Sequence, residues 1–169
     1  KLNIIAEDLG SLDKGVYRLM EETGYPGMKV MEFAFDGNDD NPYLPKNIQE
    51  NSVCYTGTHD NDTLLGYIKK LKKKEYEVFV KGLAGILDKE QIKLNLTDKF
   101  SVAKAVLFVT LSSRSKLAVI PIQDILLLGG NSRMNTPSTS QGNWQFRLKR
   151  IEPYELTEFI DNCGLTGRL

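Results

Sequence analysis

Two stretches of the sequence place a carboxylate where it could act on a bond rather than solvate a surface. In Ile4-Ile5-Ala6-Glu7-Asp8-Leu9-Gly10 an apolar run ends on Glu7. Apolar walls raise a carboxyl pKa by penalising its charged form, and neighbouring carboxylates do the same. A group tuned in this way can donate a proton to a leaving oxygen near neutral pH. The plainer role for an acid after a strand is a helix cap or an ion-pair partner. The second stretch, Tyr55-Thr56-Gly57-Thr58-His59-Asp60-Asn61-Asp62-Thr63, contains the single histidine of the chain. Asp60, flanked by His59 and Asn61, is equipped to grip hydroxyl groups through charge-assisted hydrogen bonds. A metal held by His59, Asp60 and Asp62 is the rival reading, and no second His or suitably spaced Cys supports it. Asp62 is expected to cap the helix that follows.

A third cluster begins at Pro121-Ile122-Gln123-Asp124 and continues through Gly129-Gly130, Arg133-Met134-Asn135 and Gly142-Asn143-Trp144. Glycines permit tight turns, while the amides and Arg133 supply hydroxyl-binding donors. Trp144 offers a flat apolar face for a ring to stack on, or else fills the core where the loop meets it.

The elements that position these clusters alternate along the chain. Four short apolar runs bounded by turn signals read as buried strands: Asn3 to Ala6, Lys29 to Phe35, Val53 to Thr56 and Lys116 to Ile120. Each ends in polar residues. Between them, Val16, Leu19 and Met20 form a helix face behind a Ser11 or Asp13 cap, and Leu64 to Leu71 begins a second helix. Thr97 and Asp98 cap a third, and Tyr154 to Asn162 reads as a closing helix. Strands alternating with helices, with acids at the strand ends, indicate a parallel α/β architecture. In a (β/α)8 barrel the chemistry sits at those ends, and a full barrel needs about 250 residues. The chain therefore fits the C-terminal half of a (β/α)8 TIM barrel with an inserted helical subdomain. Residues 1–61 would carry barrel strands and connecting helices, 62–114 the helical insertion, and 115–169 the last strand, a loop and the closing helix. The abrupt start in an apolar run is expected to reflect truncation, and the open strand edges of a half-barrel would favour self-association.

Bulk properties exclude other classes. Twenty-two basic and 22 acidic residues give zero formal charge, so the positive excess of a nucleic-acid binder is missing. Cys54 and Cys163 match no metal spacing. No apolar run approaches the ~18 residues of a membrane span, and the expectation is a reduced, cytoplasmic protein. Asp36-Gly37-Asn38-Asp39-Asp40-Asn41 starts like a calcium loop but lacks Gly at its sixth position and Glu at its twelfth. The lysines between Lys69 and Lys74 are expected on the wet face of a helix.

Taken together, the clusters resemble the amylomaltase family of 4-α-glucanotransferases (disproportionating enzymes). Its acid/base motif is similar to Ile5-Ala6-Glu7-Asp8-Leu9-Gly10, and its second acidic motif to Gly57-Thr58-His59-Asp60-Asn61-Asp62-Thr63. Met28 to Phe35, Asn41-Pro42-Tyr43-Leu44-Pro45 and the run from Gln123 to Trp144 also match, in the right order. The resemblance implies that Glu7 is the general acid/base and that Asp60 grips the sugar at the cleavage subsite. It implies that His59 binds the same sugar and that Asn143 lines the groove. Phe33, Phe35 and Tyr43 become candidate acceptor contacts, with Trp144, Arg133 and Asn135 further substrate contacts. Three positions depart from the family pattern: Ser138 stands for a Gly, Leu127-Leu128-Gly129-Gly130 for a Leu-Gly-Leu-Gly-like turn, and Phe146 for a second Trp.

The family's nucleophile is an Asp within an Arg-x-Asp motif, and these 169 residues contain no such motif. The resemblance thus implies a nucleophile before Lys1, a partner in the missing N-terminal half of the same barrel, and inactivity of this piece alone. Its substrates would be α-1,4-glucans and maltooligosaccharides, with no cofactor and no metal. An α-amylase-type hydrolase using the same carboxylates, or a non-catalytic glucan-binding half, are the alternatives.

Overall fold

A computed structural model describes residues 3–148 of the chain. The closing helix expected at Tyr154 to Asn162, and Cys163, lie outside the described residues. Among the described residues, helices and strands occur in the order α1 (Lys14–Thr23), β1 (Gly27–Val30), β2 (Ser52–Tyr55), α2 (Leu64–Lys70), α3 (Lys73–Lys89), α4 (Lys99–Leu111), β3 (Leu117–Val119) and α5 (Ile122–Ile125), with short 3-10 turns between some of them. The three strands form one parallel sheet in the order β1-β2-β3. Gly27 pairs with Ser52 and Val30 with Tyr55, while Val53 pairs with Leu117 and Tyr55 with Val119. Consecutive parallel strands require crossovers that return the chain to the same starting edge. All three strands therefore end on one edge, and the segments leaving Val30, Tyr55 and Val119 meet there.

The expected strands at Val53–Thr56 and Lys116–Ile120 are present within a residue or so, but the other two are corrected. The apolar run Asn3–Ala6 is not a strand. It is tied to the residue just before β1 by one backbone bond, Ala6 N to Pro26 O at 2.9 Å, and the next donor along β1 is taken by a side chain. Asp8 Oδ1 accepts from Met28 N at 2.5 Å and Oδ2 pairs with Lys29 Nζ at 3.1 Å. That carboxylate is seated against Gly27, where a Cβ would collide with Asp8 Oδ2 and come within 2.7 Å of the Met20 methyl. Gly27→Ala is therefore expected to cost about 1–3 kcal/mol, the range for overpacking, measurable as a lowered urea midpoint at unchanged slope. The run from Lys29 to Phe35 is likewise only half strand: β1 stops at Val30 and Met31–Phe33 turns as a 3-10 helix.

Helix caps follow local chemistry. Asp13 accepts from Gly15 N and Val16 N at the start of α1, and Asp98 accepts from Ser101 N at 2.7 Å at the start of α4. For α2 the cap is Thr63, which accepts from Gly66 N, and not Asp62. The Asp62 carboxylate instead pairs with Lys70. The lysine run is not one helix face, because the chain breaks at Leu71 and restarts as α3. There Glu75 Oε2 accepts from Lys72 N at 2.8 Å. Within α3, Tyr76, Phe79, Val80, Leu83, Ile86 and Leu87 recur at helical spacing, and all six join the core or pack against it. This core is continuous: Met31, Phe35 and Cys54 from the sheet side share it with Leu64, Ile68, Phe79, Leu83 and Val106. Phe35, a candidate substrate contact by sequence, is 4% exposed and stacks edge-on against Phe79 at 5.0 Å. It is a core residue, because the 3-10 turn after β1 rotates it away from its neighbour Phe33. No described helix is long and apolar enough to cross a membrane.

Candidate functional site

The segments that leave the strand ends build one open cleft. Glu7 and Asp60, separated by 53 positions in the sequence, both line it, with Phe33, Tyr43 and Thr58 in its walls. Glu7 is exposed and is delivered there by its neighbours: the Ala6 backbone bond on one side and the anchored Asp8 carboxylate on the other. Phe33 and Tyr43 meet edge-to-face with ring centres 5.5 Å apart. Burial, together with the nearby Asp8, pushes the Tyr43 phenol above its ordinary pKa, so the ring offers a neutral hydroxyl throughout the physiological range.

Asp60 stands in a turn braced at both ends. Asn61 N donates to Thr58 O at 3.1 Å, and Asn61 Oδ1 accepts from Thr58 N and Thr58 Oγ1 at 2.8 and 2.7 Å. From across the cleft floor, Asn135 Nδ2 donates to Asp60 Oδ1 at 2.6 Å. An Arg133 terminal nitrogen donates to the Asp60 carbonyl at 2.8 Å, while Arg133 Nε donates to Asn135 O at 2.7 Å. Arg133 and Asn135 thus hold Asp60 from behind. His59 Nε2 lies 3.5 Å from the same Asp60 Oδ1, leaving Oδ2 without a hydrogen-bond donor among the described residues.

Trp144 is 55% exposed and its ring centre lies 5.1 Å from that of His59. It is therefore a surface platform rather than core. Together with His59, Gln123 and Arg133 it lines a second hollow that adjoins the cleft through Thr58 and Asn61. The Asn143 amide is turned into its own loop: Oδ1 accepts from Thr136 N at 2.8 Å and Nδ2 donates to Thr139 O at 3.0 Å. Its contribution is to close the loop that carries Trp144, whose N donates to Met134 O at 2.7 Å. That loop is strained. Ser138 and Trp144 sit at φ of 64° and 63°, and Leu127 at 50°, a region costing an L-residue about 1–2 kcal/mol. Ser138, one of the sequence departures, and Leu127, the first residue of the departing turn Leu127-Leu128-Gly129-Gly130, thus both have backbone that favours glycine.

Beneath the cleft lie acids that the sequence reading left without a role. Asp124, 2% exposed, accepts from Thr56 Oγ1 at 2.5 Å and from Leu64 N at 2.7 Å, fastening the end of β2 to the start of α2. Burial raises its pKa, and those two hydrogen bonds oppose the rise. Glu32, 3% exposed, accepts from Asn61 Nδ2 at 2.9 Å. Burial first, and Asp124 second, push its carboxyl up to about 9. The available signal was the lone acid inside the apolar run Met28 to Phe35, a residue type rarely buried without a reason.

The sequence profile of 4-alpha-glucanotransferases matches residues 1–153. The chain is 43% identical over 174 residues to the chloroplastic/amyloplastic 4-alpha-glucanotransferase of Arabidopsis thaliana, an alignment covering 100% of this chain and 28% of that protein. It is 39% identical to the Clostridium butyricum 4-alpha-glucanotransferase, covering 96% of this chain and 33% of that one. Among solved structures, the amylomaltase of Streptococcus agalactiae in complex with acarbose superimposes with a TM-score of 0.80 at 31% identity, over 97% of this chain and 32% of that one. The chain thus spans about a third or less of the length of these relatives.

Proposed function

This chain belongs to the 4-alpha-glucanotransferase family, and from that premise we propose that it supplies two of the three carboxylates of a glucan-transferring site. The observation that carries the reading is that Glu7 and Asp60 line one cleft, with aromatic rings in its wall and beside it. Glu7 acts as general acid/base and Asp60 holds the sugar at the bond to be cut. His59 assists Asp60, while Arg133 and Asn135 fix its orientation. Trp144, Phe33 and Tyr43 present surfaces on which glucose rings stack, and Asn143 shapes the loop under Trp144.

Because these 169 residues contain no Arg-x-Asp, the reading assigns the nucleophilic Asp to polypeptide outside them. That carboxylate attacks the anomeric carbon while Glu7 gives its proton to the departing glycosidic oxygen. A glycosyl ester forms and a shortened glucan leaves. Glu7 then takes the proton from the 4-hydroxyl of an incoming glucan, whose oxygen attacks the same carbon and releases the nucleophile. Two inversions leave the α configuration retained, which requires the nucleophile about 5–5.5 Å from Glu7. In this reading β1, β2 and β3 are strands of the C-terminal half of a (β/α)8 barrel, completed by the rest of the protein. Residues 1–61 and 115–169 belong to the barrel, and 62–114 hold the helical addition, with α4 serving as the crossover onto the sheet.

The test is incubation of the full-length polypeptide carrying this sequence with maltotriose. Glucose together with a ladder of longer maltooligosaccharides is the expected result. Glucose and maltose without a ladder would replace transfer by hydrolysis, and an unchanged substrate would leave a binding role only.

A further inference from the structure

The turn that carries His59 and Asp60 is held from below by a carboxyl group that the proposed reaction does not use. Glu32 sits in the 3-10 turn after β1, and its backbone N donates to Thr56 O at 3.1 Å, at the end of β2. Its Oε2 accepts from Asn61 Nδ2 at 2.9 Å. Asn61 Oδ1 in turn accepts from Thr58 N and Thr58 Oγ1, and Thr58 Oγ1 accepts from Asp60 N at 3.3 Å. A continuous line of bonds therefore runs from Glu32 to both ends of the turn at whose centre His59 and Asp60 stand. The other oxygen, Oε1, is buried with no partner among the described residues. It lies under Gly57, where a Cβ would come within 3.2 Å of it.

An ionised carboxylate does not suit this position. One of its oxygens would be both charged and dry, a state that costs far more than a buried neutral hydroxyl. The groups facing it add to the difficulty. Asp124 on α5 and Asp62 ahead of α2 oppose a negative charge, while the Asn61 hydrogen bond and, more weakly, Arg133 after the 3-10 turn at Gly130–Ser132 favour one; burial, the largest influence, decides against it. The Tyr67 phenol on α2 lies in the same field, its own pKa raised to about 12 by burial first and Glu32 second.

We propose that Glu32 is a positioning residue working as a neutral carboxylic acid, which anchors Asn61 and through it the turn presenting His59 and Asp60. The positioning role rests on the reading of Asp60 given above, whereas the neutral state of Glu32 does not. Burial raises the folded-state pKa from its ordinary 4.5 to about 9, so folding favours the protonated form. The associated stability is fully present below the unfolded value. It declines as the unfolded chain sheds its proton with rising pH, and it is gone once pH passes the folded value. Glutamine has the same shape, keeps an acceptor for Asn61 and does not titrate.

The decisive comparison is of wild type, Glu32→Gln and Glu32→Ala in the full-length polypeptide, by melting temperature from pH 5 to pH 9 and maltotriose transfer at pH 7. The melting temperature of Glu32→Gln minus that of wild type is expected to widen steadily across that range. Glu32→Gln should keep transfer within about 3-fold of wild type, while Glu32→Ala, which leaves Asn61 Nδ2 unpartnered, loses about 10-fold or more in kcat with KM little changed. A melting difference that stays flat with pH would mean that Glu32 is ionised and would overturn its neutral state. Wild-type kcat in Glu32→Ala, or a loss in Glu32→Gln as deep as in Glu32→Ala, would overturn the positioning role. If wild type left maltotriose unchanged, the reading of the site and the positioning role would fall together. The melting curves would still decide whether the acid is held neutral.

Discussion

Glu7→Gln lowers glucan transfer by the full-length protein about 10²–10⁴-fold, the usual contribution of a positioned acid/base. The substitution keeps size and hydrogen-bonding capacity but can neither give a proton to the leaving oxygen nor take one from the incoming hydroxyl. Its effect is expected in kcat, because the interaction it removes is formed only in the transition state. The fold should not notice the change. Glu7 is exposed, and its segment is pinned through Ala6 N and the Asp8 carboxylate rather than through Glu7 itself. Melting temperature should therefore move by no more than a surface substitution moves it, within about 0.5 kcal/mol. A glucosyl donor whose leaving group needs no proton, such as α-glucosyl fluoride, should restore the first chemical step in the variant. A loss smaller than about 10-fold in kcat, or a first-turnover release of fluoride slowed as much as transfer from maltotriose, would remove Glu7 from the acid role.

Phe79→Ala destabilises the protein by about 3–5 kcal/mol, as expected for emptying a well-packed aromatic site. Phe79 is 2% exposed and touches two other rings, Phe35 at 5.0 Å and Tyr67 at 6.0 Å. Those partners come from different parts of the chain, one just beyond β1 and one on α2. Removing the ring therefore opens a cavity where α3 meets the sheet side of the core. Equilibrium urea unfolding followed by circular dichroism measures the loss. A cost below about 1 kcal/mol would mean that α3 is an appended helix whose packing the rest of the fold does not need. The full cost would make the helices between β2 and β3 part of the core that supports Phe33 and the cleft.

What could be read from the residues was whatever depends on neighbours in sequence. The β-branched run at Val53 and the apolar run at Leu117 formed strands, and Asp13 and Asp98 capped helices, because each signal is local. The first apolar run misled because an Asp8 side chain, not a backbone carbonyl, fills the next place along β1. Periodicity cannot register that substitution. Asp62 and Thr63 compete for one cap, and the winner was decided at a distance, since Asp62 is drawn to Lys70 on the next turns of the helix. At the site, Glu7, Asp60, His59 and Trp144 were legible as chemical types, and their meeting in adjoining hollows needed the fold. Sequence suggested Asn135 and Arg133 as sugar contacts, and in the fold each also donates a hydrogen bond to Asp60. Glu32 and Asp124 were missed as a pair because their association spans the strand ends.

The sequence contains a single tryptophan and a single histidine, and the two rings stand 5.1 Å apart at the mouth of the second hollow. All tryptophan emission from these 169 residues therefore originates beside Asp60, with an imidazole close enough to quench it. With Trp144 more than half exposed, a sugar settling on its face would displace water from the indole and shift the emission to the blue. On the proposed reading, Trp144 is an optical reporter of occupancy that needs no label.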